Sequence, residues 1–328
     1  MASSTPSCRS SQQSRRWTDI WCSMPCINID EQPGQIKERW DRFEDFTTNL
    51  LLFHRNYVSL DKFRIYAHCH NEQHVHVDRW VRLGIKYNPL VLEIEIPWDI
   101  GKVFKLPKVG SSLSRLTRLS LSNVILDSHF AELLVSGCPA LVDLELTSCF
   151  SIPQDITLTT VKKFVMNGCY NIGDARRPIF IRAPKVVSLK LVTVDLRGIS
   201  VCNATSLVKA SVHNINFSAK EQCILLGGLS NVMSLELVNF DTLGMLDKSS
   251  NNFPLFLKMC TLSLKGCFLD EKYGLESKLA DLGSFLENAP CLEKLTLSCC
   301  MILGLIQLLR GKASVCKVRM ARLSSVRS

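Results

Sequence analysis

The nine residues LVDLELTSC, 141–149, place Leu141, Leu144 and Leu146 in the spacing L-x-x-L-x-L, with a cysteine three residues after the last leucine. The same spacing recurs at Leu60, Phe63, Ile65; Val91, Ile94, Ile96; Leu116, Leu119, Leu121; Val161, Phe164, Met166; Val186, Leu189, Leu191; Leu207, Ala210, Val212; Val232, Leu235, Leu237; Met259, Leu262, Leu264; and Leu292, Leu295, Leu297. That makes ten units. From Val91 to Met259 the intervals run from 20 to 27 residues, and the first and last intervals, 31 and 33, carry insertions. Self-similarity at such a period marks stacked coils of the leucine-rich-repeat kind.

In each L-x-L the two apolar residues point to one side of a short strand and the residue between them to the other, so stacked strands build one dry face and one wet face. Cys149, Cys169, Cys267 and Cys300 all fall three residues after a strand's last apolar position, where this repeat type favours Asn or Cys. Residues at equivalent repeat positions come from different coils and form a ladder, which does not converge on one metal ion. Between strands, 127–141, 221–232 and 276–292 show apolar residues at helical spacing. Asp127 is placed to cap the first of these, with Gly137 near its end and Pro139 stopping it. The expected fold class is α/β: a leucine-rich-repeat solenoid, an open horseshoe or arc with parallel strands on its concave face.

The chain has 328 residues, 46% apolar, with a formal charge of +9. Most of that charge sits at the ends: Arg310, Lys312, Lys317, Arg319, Arg322 and Arg327 face no acid after residue 309, and Arg9, Arg15 and Arg16 stand against Asp19. A basic tail without interleaved aromatics is no base-stacking platform, so no nucleic-acid partner is expected. Fifteen cysteines, an odd count behind an N-terminus without an apolar core, read as reduced thiols inside a cell. No apolar run reaches membrane-spanning length.

Ahead of the repeats stand SRRWTDIWCSMPCINID, 14–30, and the amphipathic stretch RWDRFEDFTTNLLLFH, 39–54; SGCPALVDLELTSC and LENAPCLEKLTLSCC follow within them. In this order the phrases resemble plant F-box proteins with leucine-rich repeats. The resemblance implies a substrate receptor of an SCF-type ubiquitin ligase, in which the F-box holds the Skp adaptor and the repeats hold a target protein, in the cytoplasm or nucleus. It divides the chain into an N-terminus (1–13), a remnant of the F-box end with a linker strand (14–30), a helical cap (31–59), the repeat domain (60–300) and a C-terminal cap or basic tail (301–328). Only the end of an F-box is expected here, carried by Arg15, Arg16, Trp17, Ile20 and Trp21. Adaptor and cullin are partners only where the F-box is complete. Two readings stay open: a working receptor, and a truncated leucine-rich-repeat interaction protein outside the ligase.

The stretch HCHNEQHVH, 68–76, holds four of the seven histidines but matches no zinc-ligand spacing, and it reads as a solvated, partly packed loop. No nucleotide loop, H-E-x-x-H or G-x-S-x-G is found. No catalytic residue, cofactor or metal is therefore assigned. Partner binding is expected on the wet side of the strands, at Glu93, Glu95, Arg118, Asp143, Glu145, Lys163, Lys190, Lys209, Glu236 and Lys294. Lys163, Lys190 and Lys209 come from three successive strands, about 5 Å apart, and suit an acidic or phosphorylated segment.

Overall fold

The computed structural model describes residues 23–31, 37–54, 59–68, 73–97, 104–108, 113–171, 178–192, 196, 198–215, 217–240, 253–267, 282–283 and 285–298. It divides into two compact units: Met1–Ile125 with Ser136–Leu141, and Leu126–Val135 with Val142–Ser328. Both are built on the α/β leucine-rich-repeat plan. Cys300, the F-box-end residues 15–17 and 20–21, and the basic tail from 310 lie outside the described residues.

In the first unit β1 (Cys26–Asp30), β2 (Lys62–Tyr66), β3 (Val91–Glu95) and β5 (Arg118–Ser122) pair in parallel in that order. A shorter pair, β4 (Phe104–Lys105) and β6 (Val124–Ile125), lies apart from them. The sheet thus begins at Cys26, well ahead of the first L-x-x-L-x-L unit, with Ile27 and Ile29 buried beside Phe63 and Ile65. Helix α1 (Lys37–Phe53) and helix α2 (Gln73–Lys86) are the crossovers that parallel strands require. They meet through Trp40, Phe43 and Trp80, whose ring centroids stand 5.7–5.9 Å apart. The buried Trp80 Nε1 is satisfied by Thr48 Oγ1 at 2.9 Å, and Tyr87 donates its hydroxyl proton to the Leu51 carbonyl.

The register corrects one repeat. Leu92 and Ile94, not Ile94 and Ile96, align with Phe63 and Ile65 on one side and with Leu119 and Leu121 on the other. Val91 falls in the row of Lys62 and Arg118, and the buried Pro89 occupies the position of the first apolar residue. The frame is off by two residues. A shift of two leaves every side chain on its own face, so alternation alone does not reveal it.

In the second unit β7 (Asp143–Thr147), β9 (Lys163–Asn167), β11 (Ser188–Val192), β13 (Lys209–His213), β14 (Ser234–Val238), β15 (Thr261–Lys265) and β16 (Lys294–Ser298) run parallel in that order. Their inward residues, from Leu144 and Leu146 through Leu262 and Leu264, are all at most 3% exposed. Helix α3 (Ser128–Glu132) is capped by Asp127, which accepts from the His129 and Phe130 amides, and it runs on into a π-helical turn at Leu133–Gly137. Helix α4 (Ala219–Gly228) opens on a capping box between Ser218 and Glu221. Of the 276–292 segment, residues 282–283 and 285–287 are helical. Elsewhere the return limbs are strands where a loop or helix was expected: β8 (Asp155–Thr157), β10 (Ile179–Arg182) and β12 (Ile199–Cys202) form a second parallel sheet. With coils of 20 and 21 residues among them, these returns have too little chain for a helix of ordinary length.

Six strands are left through a left-handed residue: Asn123, Ser148, Gly168, Asn214, Asn239 and Gly266 all have φ between 47° and 61°. Directly after three of these, Cys149, Cys169 and Cys267 are buried, and each thiol lies 3.5–3.6 Å from a main-chain carbonyl as donor. The Cys169 thiol is held protonated, first by its hydrogen bond with Cys149 and then by burial. These sulfurs fill turns and are no nucleophiles.

Gly266 tests the exit turn. Its φ is +60°, and a Cβ built there would overlap the Asn239 side-chain oxygen. Gly266→Ala is expected to lower stability by about 1–2 kcal/mol. Gly227, inside α4 with open space around it, is the matched control: Gly227→Ala is expected to raise stability by about 0.5–1 kcal/mol. Urea midpoints of the two variants against the parent check both signs.

Candidate functional site

Because alternate residues of every strand point away from the core, each unit presents a polar open side. In the first unit its centre is Arg64, between the buried Phe63 and Ile65. The guanidinium lies 4.0 Å from Asp30, 3.8 Å from Glu93 and 3.7 Å from Glu95, and Lys62 reaches Glu93 at 2.8 Å. Arg64, Glu93, Glu95, Arg118, Ser120 and Ser122 line a shallow depression of about 240 Å³. The groups there largely neutralise one another.

The open side of the second unit is less balanced. Asp143 and Lys163 pair at 3.6 Å on adjacent strands. Glu236 is the hub of a larger network: Lys265 Nζ donates to its Oε1 at 2.7 Å, Ser211 Oγ donates to its Oε2 at 2.8 Å, and His213 Nε2 lies 3.3 Å from Oε2. The Lys265 hydrogen bond is the main reason that the Glu236 carboxyl is held down at about 2, with Ser211 and His213 adding to it and partial burial opposing it. Ser211, His213 and Glu236 have the composition of a nucleophilic triad without its geometry. One ring nitrogen, Nε2, faces both the serine at 2.6 Å and the carboxylate, whereas a relay needs the acid on Nδ1.

Lys190 and Lys209 are exposed and have no ion-pair partner among the described residues. The three lysines singled out above do not form one row. Lys163 and Lys209 both align with Ser188, while Lys190 stands one pleat further along. Lys294 heads β16, in register with Thr261, and Glu145 lies beside Val165.

The histidine stretch is divided by structure. His74 and His76 belong to α2, which begins at Gln73, so the loop expected there ends earlier. His76 Nδ1 sits 2.8 Å from Glu44, while the His68 amide donates to Glu31 at 2.6 Å. Two separate carboxylates hold the two ends of the stretch. Among the described residues, no group of three or more His, Cys, Asp and Glu is placed to hold a metal ion; Cys69 and His70 lie outside them. No helix among the described residues is long and apolar enough to cross a membrane.

A family model, the LRR domain of At1g61320/AtMIF1, matches residues 102–303, well over half of the chain. The chain belongs to this family. Its relatives are plant F-box and leucine-rich-repeat proteins. The MEIOTIC F-BOX protein MOF of Oryza sativa subsp. japonica is 28% identical, over 89% of this chain and 66% of its own length. The putative F-box/LRR-repeat protein At3g44810 of Arabidopsis thaliana is 24% identical, over 77% of this chain and 65% of its own. The FBD-associated F-box protein At4g13985 of the same plant is 25% identical, over 87% and 70%. The chain therefore spans just under two thirds of the first two relatives' length. An LRR domain of this kind is a protein-interaction module and not an enzyme.

Sequence reasoning missed Lys62, Arg64, Ser211, His213 and Lys265 as members of the open-side networks. Their signal was present, since each occupies an outward position flanking or between inward residues. Which outward residues meet is decided by register between coils, which the spacing within one coil does not show.

Glu236 supplies a pH test. Its folded carboxyl is depressed to about 2 from an ordinary 4.5, so it contributes stability above about 4.5 that is lost as the pH falls toward 2. Glu236→Gln is expected to be less stable than the parent at neutral pH, with the difference shrinking between pH 4.5 and 2. Denaturation midpoints of both proteins across that range provide the measurement.

Proposed function

We propose that this chain is the target-holding part of an SCF-type ubiquitin-ligase receptor, working in the cytoplasm or nucleus. The reading is carried by one observation: relatives that align with 87–89% of the chain are F-box proteins, so the F-box partners this same repeat domain in them. An F-box protein performs no chemistry; it joins the Skp adaptor, and through it a cullin, to whatever its repeats hold. The adaptor and cullin are partners only where a complete F-box is present, and the target protein is the partner of the repeats.

Target binding is assigned to the open side of the second unit. Charges there set specificity more than affinity, because each unpaired cation repels basic partners and costs desolvation when a partner without a matching acid covers it. Lys190 and Lys209 offer that discrimination, with Lys163 beside them shared with Asp143.

The experiment has two arms. The chain is co-expressed with the Skp adaptor and a cullin; stable co-purification is expected, and its failure contradicts the ligase reading. Separately, Lys163→Glu, Lys190→Glu and Lys209→Glu are combined in the repeat domain. Target binding is expected to fall about tenfold or more with the thermal midpoint little changed. Undiminished binding by the triple variant removes this face as the contact.

A further inference from the structure

Along the edge where the strands of the second unit begin, the residue immediately before each strand is held in a distinctive way. The carbonyl of Val187 accepts from the amides of both Val208 and Lys209, at 2.9 and 3.0 Å. That of Val208 accepts from Met233 and Ser234, and that of Met233 from Cys260 and Thr261, at the same distances. The strands on either side stay in one-to-one register, so each shared carbonyl holds its neighbour's entry residue directly beside its own. The outcome is a row of entry residues in register, one per coil, whose side chains emerge at the rim.

In the middle of that row three consecutive entries are apolar. Val187 is 40% exposed and Met233 49% exposed, with Val208 half-buried between them. Neighbouring strands stand about 4.8 Å apart, so this ridge is about 10 Å long. Scattered exposed aliphatics need no explanation, but a fixed contiguous row does. Around the ridge stand Lys162, Lys185, Lys209 and Lys258, all exposed, and none has an acidic partner among the described residues. The nearby carboxylate of Glu236 is already taken by Lys265.

We infer that this rim is a docking site for a short acidic protein segment carrying two or three aliphatic side chains. The length of the ridge suits a linear segment rather than a folded domain, whose footprint is several times larger. The unpaired lysines choose the sign of its charge. The ridge distinguishes it from a nucleic acid, which would need exposed aromatics for its bases where this rim has only aliphatics. The inference deepens the target-binding reading by naming the chemistry of what is bound. It does not depend on assembly into a ligase.

The test uses the repeat domain alone and fluorescence anisotropy. The probe is a labelled peptide of about twelve residues alternating Asp or Glu with Leu or Ile. Controls are an oligoglutamate, a Lys/Leu peptide and a single-stranded DNA of similar charge. The acidic aliphatic peptide is expected to bind with a dissociation constant on the order of micromolar, more weakly at about 300 mM salt than at about 50 mM. Val187→Ser with Met233→Ser, and separately Lys185→Glu with Lys209→Glu, are each expected to weaken it about tenfold. All four side chains are surface groups, and unchanged melting curves confirm that the fold is kept. Absence of peptide binding overturns the proposal, as does binding that neither pair of substitutions alters. Tighter binding of oligoglutamate or DNA than of the aliphatic peptide overturns it too. Adaptor capture is read in a separate experiment, so a failed ligase reading and a failed docking site give different results.

Discussion

One carbonyl accepting two amides at each strand entry is the interaction on which the second unit depends. A single coil has no core of its own; it acquires one only by lying against its neighbours with the same residues facing in. The shared carbonyl sets that alignment six times in succession, from Val142, which receives Lys162 and Lys163, to Cys260, which receives Glu293 and Lys294. Once the entry is fixed, alternation does the rest. Leu189 meets Phe164 and Ala210, and Leu191 meets Met166 and Val212. At the other end of five of these strands a left-handed residue turns the chain, and in three coils a buried thiol closes the turn.

The same constraint determines what is left for other molecules. Every residue between two inward ones must point out, and every entry residue must emerge at the rim, whatever its chemistry. On the open side of the first unit the charges face partners of opposite sign, with Arg64 among three carboxylates. On the second unit part of the charge is satisfied within the network around Glu236, and part, at Lys190 and Lys209, is not. The backbone requires none of these identities. A surface on which some cations are paired and others left alone, beside an apolar ridge, is what a selective protein contact needs: complementarity of shape and sign with little intrinsic cost to the fold.

Much of this was legible in the spacing of aliphatics. The L-x-x-L-x-L recurrence located ten strands with the correct side facing in, nine of them in the correct frame, and Asp127 was readable as a cap from its position alone. Three things were not. The third strand was framed two residues late because Val91, Ile94 and Ile96 match the pattern as well as Pro89, Leu92 and Ile94 do, and only pairing with Phe63 and Leu119 decides between them. The strands at 155–157, 179–182 and 199–202 are too short to show a period against flanking turns. The exit residues carried a signal that went unused, since Asn, Gly or Ser stands directly after the strand in coil after coil, as a left-handed turn requires. For the site, residue types on the open side were readable and their partners were not: Lys265 lies 29 positions from Glu236, and His213 lies 23 away.

Amide hydrogen exchange along residues 142–298 tests the central claim most directly. If each entry carbonyl holds two amides, then Val208 and Lys209, Met233 and Ser234, and Cys260 and Thr261 will exchange slowly as pairs, with protection comparable to that of the buried strand interiors. Rapid exchange at these pairs, at rates near those of an unstructured peptide, would contradict the stacked register and with it the placement of the rim.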